Sequence, residues 1–179
     1  MPETITDGRR RRGATRRREL LDATLRVIAR DGLAGISQRR VADEAGVPAS
    51  AVMYHFASVD DLLVSTLREV NDRYLAELEA VSTLGGLAAL IASSGRAALV
   101  AEYDLFLLAA RRDDLRTEVD RWDAALRGLA ERVTPRRGDV LAAVVNGLWL
   151  QAAVSGLDES GALAVLRGAT GWRQGESNP

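Results

Sequence analysis

Between Ser37 and His55 the chain sets short polar and aromatic side chains, Ser37, Gln38, Arg39, Ser50, Ala51, Tyr54 and His55, among apolar residues at helical spacing. They do not assemble into a catalytic set. His55 is the only histidine and cysteine is absent, so a Cys-His dyad, a multi-histidine zinc site or a Ser-His-Asp triad would have to be built around that one residue. No GxxxxGK[ST] run exists, and Gly85-Gly86 is too short to cradle phosphates. The spacing of the carboxylates gives no support to carboxylate-only catalysis. Hydroxyls, an amide and a guanidinium on short helices suit hydrogen bonding to base edges and phosphates instead. Gln38, Ala51 and Tyr54 are the expected base readers, while Ser37, Arg39 and His55 are expected to position the backbone and Ser50 to allow close approach. No enzyme, cofactor or metal is expected.

The elements that hold these residues can be read locally. Ser37 is a plausible N-cap for a helix over Gln38 to Ala45, in which Val41, Ala42 and Ala45 recur on one face, and Gly46 can adopt the left-handed conformation that ends it. Val47 is placed to fill the angle of a turn, and Pro48 fixes φ where a second short helix, Ala49 to His55, can begin. Two short helices around such a turn form a helix-turn-helix, whose second helix enters the major groove of DNA. Ser58-x-x-Asp61 then reads as the capped start of a long helix through Leu62, Leu63, Leu67, Val70, Tyr74 and Leu78.

The run AGVPASAVMYHFASVDDL resembles the DNA-binding segment of TetR-family transcriptional regulators. Ala45, Gly46, Val47, Tyr54, His55, Phe56, Ser58, Asp61 and Leu62 fit that pattern, and the match extends upstream to Arg17. Ser50 stands where glycine is common, Met53 where an aromatic residue is common, and Val59 where a lysine usually touches the phosphate backbone. The resemblance implies a homodimer on a palindromic operator in double-stranded DNA and a small-molecule effector, with repression relieved when the effector shifts the helix starting at Ser58. Two alternatives stay open: a DNA-binding dimer without an effector, and a helical small-molecule-binding protein that no longer binds DNA. A second resemblance, over Ala101 to Trp122, is to a regulatory domain common among actinobacterial TetR-like proteins.

Composition agrees with an all-α protein of about nine helices. Hydrophobic residues make up 47% of the 179 and aromatics only 4%, so packing falls to Ala, Leu and Val. The net charge of −1 is unevenly spread: residues 1–60 hold 11 arginines against 8 acids, and all 24 basic residues are arginine. Arg9 to Arg12 with Arg16 to Arg18 form a basic arm, either a contact to phosphates or the minor groove or a solvated tail. Of these, Arg16 and Arg17 are taken as DNA contacts. The N-terminus lacks the apolar core of a secretory signal, and no apolar run approaches the roughly 20 residues of a membrane span. A cytoplasmic location away from the membrane is expected.

The expected domains are a disordered basic arm over 1–14, a three-helix DNA-binding domain over 15–60, a larger helical domain for ligand binding and dimerisation over 61–170, and a flexible tail over 171–179. Helix 1 is read as Thr15 to Arg30. Ser82 to Gly86 is the clearest break, followed by helices near 87–93, 95–112, 114–132, 135–155 and 158–167, with Thr134-Pro135 opening the fourth of these. That helix carries more apolar surface than one core face needs. Val144, Leu148, Ala152, Leu163 and Leu166 are the expected dimer contacts, burial within one subunit being the alternative. By the family resemblance, Tyr74, Tyr103, Phe106, Leu107, Trp122, Leu126, Asn146 and Trp149 surround a ligand cavity; as single residues they could equally be core. Asn146 and Gln151 are amides that need partners. Glu102, Asp104 and Arg111 to Asp114 read as a solvated, charge-paired helix end.

Overall fold

The computed structural model describes residues 3–134 and 138–171 and, among side chains, those from Arg11 onward. Among the described residues there are nine α-helices, two short 3-10 turns and no strand: α1 (Glu3–Asp31), α2 (Gln38–Ala45), α3 (Ala49–His55), α4 (Val59–Ala80), α5 (Leu84–Ser93), α6 (Arg96–Ala109), α7 (Arg116–Val133), α8 (Gly138–Ser155) and α9 (Glu159–Thr170). The all-α expectation holds. Pro135 and residues 172–179, and with them the expected opening of α8 and nearly all of the tail, lie outside the described residues.

The chain divides into two compact units, Met1–Glu69 and Val70–Pro179. The division falls inside α4, neither at residue 60 nor at the Ser82–Gly86 break, because the two ends of this one helix serve different cores. Leu62 packs in the first unit, and Leu78 in the second. Gly85 and Gly86 do not break the chain either. Thr83 caps α5 by accepting a hydrogen bond from the Gly86 N–H at 3.0 Å, and burial of Leu87, Ala88 and Ile91 offsets the low helix propensity of the glycines.

In the first unit α1 packs on α2, and α2 on α3. Leu20, Leu21, Ala23 and Val27 of α1 meet Val41, Ala42, Val52, Phe56 and Leu62 in one buried cluster. α1 begins at Glu3, not at Thr15, so residues 3–14 continue the helix where a disordered arm was expected. Arginine is a good helix former. Arg26 and Arg30 of α1 clasp Glu44 of α2 at 2.7 and 2.8 Å, and these guanidinium bonds hold the Glu44 carboxyl below the ordinary range.

In the second unit α5 packs on α9 and α8 on α6, α7 and α9. By length and composition alone α8 could cross a membrane, a test that a buried core helix also passes. Leu141, Val145, Leu148, Trp149, Ala152 and Ala153 of α8 are buried in the core of this unit. Three of the expected dimer contacts are thereby corrected: Leu148, Ala152 and Leu166 are buried in their own protomer, and Val144 and Leu163 pack half-buried against the same core. The outward apolar face of α8 is Val140, Ala143, Gly147, Leu150 and Val154, at steps of three and four, with Val165 exposed on α9.

Candidate nucleic-acid interface and ligand cavity

Local backbone chemistry builds the first site. The Ser37 hydroxyl accepts a hydrogen bond from the Arg40 N–H at 3.2 Å and so starts α2. Gly46 ends it at φ 65°, its N–H donating back to the Ala42 and Asp43 carbonyls. An added Cβ at Gly46 would meet nothing within 4 Å, so the cost of Gly46→Ala comes from φ alone. That cost is about 1–2 kcal/mol, readable as a lowered denaturant midpoint of the first unit; an unchanged midpoint would refute the strained turn.

α3 follows Pro48 and stops at Phe56. Ser58 and Asp61 then form the expected reciprocal cap: Ser58 Oγ accepts from the Asp61 N–H at 3.0 Å, and Asp61 Oδ2 from the Ala57 N–H at 2.9 Å.

α3 turns one face inward and one outward. Val52 is buried, while Ser50, Met53 and Tyr54, spaced i, i+3, i+4, are exposed, Tyr54 to 85% and Met53 to 55%. Ala51 and His55 are half-buried, as is Ser37; Arg39 is exposed on α2. Gln38 also serves the fold. Its Nε2 donates to the Phe56 carbonyl at 2.9 Å, satisfying a backbone acceptor that the end of α3 leaves open, so its amide N–H serves the junction of α2 and α3. Met53, three residues after Ser50, shares this outward face although it is not among the expected contacts.

The flanking charge is basic. Arg16 is exposed and paired with Glu19 at 2.8 Å, and the Arg17 guanidinium lies over the Phe56 ring at 5.1 Å from its centroid. His55 packs edge-on against Tyr54 at 5.1 Å. Burial, and then the charges of Arg17 and Arg16, hold its pKa below the ordinary 6.5, so the imidazole is neutral at neutral pH.

The second site lies wholly within the C-terminal unit. A cavity of about 250 Å³ is lined by Tyr74, Leu99, Glu102, Tyr103, Phe106, Leu107, Trp122, Asn146 and Trp149. Seven of the eight expected residues line it. Leu126 is the correction: it is 2% exposed and belongs to the core. Four rings form a continuous aromatic wall, with Trp122 at 5.9 Å from Tyr74, 5.5 Å from Phe106 and 5.3 Å from Trp149. Asn146 finds the partners its position called for. Its Oδ1 accepts from Trp122 Nε1 at 3.1 Å, and its carbonyl from the Tyr103 hydroxyl at 2.9 Å. The indole N–H of Trp149 is buried without a partner among the described residues.

Leu99 and Glu102 were not foreseen in the wall. Glu102 is not part of a solvated helix end; it is half-buried and its Oε2 accepts from the Tyr74 hydroxyl at 2.7 Å. The signal was present, since Leu99, Glu102, Tyr103 and Phe106 share one face of α6 at i, i+3, i+4, i+7.

Burial raises the Glu102 carboxyl above its ordinary 4.5, with Glu77 adding to the rise while the Tyr74 bond and the charge of Arg73 oppose it. A carboxyl whose folded pKa is raised weakens the fold above that pKa, and the penalty disappears once the acid is protonated in both states. Glu102→Gln, with the cavity empty, therefore melts above wild type at neutral pH. The gap closes as pH falls below 4.5. A gap that persisted in acid would refute an ionised, desolvated Glu102.

A helix-turn-helix with an exposed second helix, set before a helical unit with an aromatic cavity, defines a two-unit DNA-binding protein of the regulator class. Residues 20–66 match the family described as bacterial regulatory proteins, tetR family, and residues 77–171 match the tetracyclin repressor-like C-terminal domain. The chain belongs to the TetR family of transcriptional regulators. It is 32% identical to the HTH-type transcriptional regulator BetI of Burkholderia mallei (strain NCTC 10229), over 83% of this chain and 88% of that one. Among solved structures, a TetR-family member from Streptomyces coelicolor A3 superposes with a TM-score of 0.71 at 34% identity, covering 87% of this chain and 98% of that one. The multidrug binding protein EbrR complexed with ethidium superposes at 0.64 and 35% identity, with coverage of 87% and 98%.

Proposed function

We propose that the protein is a homodimeric repressor that leaves a palindromic operator when a small organic molecule fills the cavity of its C-terminal unit. The observation that carries this reading is Tyr74. It lines the cavity and stands on α4, the same helix that begins at the Ser58 cap directly after α3. A ligand that moves Tyr74 displaces α4 and with it the spacing of two recognition helices. The coupling equals the ligand's difference in affinity for the two states, so tenfold weaker operator binding requires about 1.4 kcal/mol.

The solved EbrR complexes, with ethidium, proflavin and malachite green, show a related fold holding aromatic ligands, and this chain's aromatic wall suits the same use. The dimer is assigned to the outward face of α8 from Val140 to Val154 and Val165 of α9. On DNA, Tyr54, Met53 and Ser50 face the bases, while Arg16, Arg17, Arg39, Ser37 and His55 grip the phosphates. The protein works in the cytoplasm, where that DNA lies, and does no catalysis.

The test adds a panel of compact aromatic compounds to the preformed operator complex. At least one lowers operator affinity tenfold or more, and Phe106→Ala removes the response while unliganded binding persists. A panel without effect, or a response that survives Phe106→Ala, would leave a DNA-binding dimer with no effector at this cavity.

A further inference from the structure

Among the described residues, Glu102 is the only charged side chain in the cavity wall. Of the other polar groups around it, the Tyr103 hydroxyl is used on the Asn146 carbonyl, the Trp122 indole on the Asn146 side chain and the Tyr74 hydroxyl on Glu102 itself, while the Trp149 indole N–H is buried. What the wall offers a ligand is four contacting aromatic rings and one desolvated carboxylate. Both attract positive charge. Ring quadrupoles bind cations, and a carboxylate taken out of water is stabilised by a counter-charge close by.

We infer that the cavity selects a compact organic monocation, with Glu102 as the counter-ion and Tyr74, Phe106, Trp122 and Trp149 as its aromatic walls. This rests on the effector reading above and adds the charge of the ligand to it. An anion would meet Glu102 at close range in a medium of low dielectric. A neutral molecule of the same shape would strip the remaining water from the carboxylate and return nothing. Size narrows the class further: about 250 Å³ lies just below the ~300–1,000 Å³ of pockets for drug-sized ligands, which suits one ring carrying a small ammonium group. Tyr74 is a positioning residue here. Its hydroxyl fixes one oxygen of Glu102, while Arg73 and Glu77 of α4 act on the same carboxylate with opposite signs.

The test uses two probes of one shape, phenyltrimethylammonium and tert-butylbenzene, which differ in a charged nitrogen against a neutral carbon. Calorimetric titration of the full chain gives the cation at least tenfold tighter than the hydrocarbon. Glu102→Gln weakens the cation at least tenfold and does not weaken tert-butylbenzene, whose desolvation penalty it relieves, which also shows that the cavity is intact in the variant. Equal affinities in the wild type, a cation affinity indifferent to Glu102→Gln, or no binding of either probe would overturn the inference. Operator affinity is read separately. Cation binding that leaves the operator complex unchanged overturns the effector reading and keeps the charge selection. Release by neutral compounds alone overturns the charge selection and keeps the effector reading.

Discussion

Replacing Phe56 by alanine unfolds the N-terminal unit while Val70–Pro179 stays folded. Phe56 is 1% exposed and among the largest fully buried side chains. It sits in a core of nine buried residues shared by α1, α2, α3 and α4. Truncating a buried Phe costs about 3–5 kcal/mol, and a single core in a unit of this size rarely supplies more than ~3–5 kcal/mol. The ring also lies beneath the Arg17 guanidinium, and the residue's carbonyl receives the Gln38 amide. Loss of the ring therefore loosens the α1 to α3 contact and the α2 to α3 latch together. Hydrogen exchange of the full chain provides the measurement. Peptides within 20–66 lose protection, peptides within 77–171 keep it, and operator binding disappears. Retained protection over 20–66 would show that the unit does not depend on this core.

Tyr54→Ala has the opposite character: no effect on folding and a large one on recognition. At 85% exposed the side chain supports nothing inside the unit, so stability changes by no more than ~0.5 kcal/mol. A base-reading side chain is worth about 1–3 kcal/mol at each half-site, roughly 5- to 150-fold, and a symmetric dimer loses it twice. Binding to unrelated DNA, held by Arg16, Arg17 and Arg39 through phosphates, changes little. Fluorescence anisotropy on operator and shuffled duplexes separates the two terms. Equal weakening on both would reassign Tyr54 from base reading to phosphate contact.

The features visible in the sequence are those governed by neighbours in the chain. Ser37, Gly46, the Ser58-x-x-Asp61 box and the extents of α2 and α3 depend on caps and φ preferences that act over a few residues. Residues with two possible surroundings were harder to place. α8 is apolar on nearly every side, so periodicity could not separate its core side, Leu148 and Ala152, from its outer face, Val140, Gly147 and Val154. Glu102 has the composition of a surface residue, and only its partner Tyr74, 28 positions earlier, reveals it as part of the cavity. Gln38 likewise has a partner that no local rule announces, the Phe56 carbonyl 18 residues on.

The central claim is that this chain recognises one DNA sequence through α3. Its most direct test titrates the 179-residue chain onto the DNA upstream of its own gene, against shuffled DNA, across a series of salt concentrations. The account predicts a sequence-specific complex with a two-fold symmetric footprint, with an affinity that falls linearly in log–log with salt and an operator preference that Tyr54→Ala abolishes. Equal binding to both DNAs at every salt, or no complex at the lowest, would contradict it.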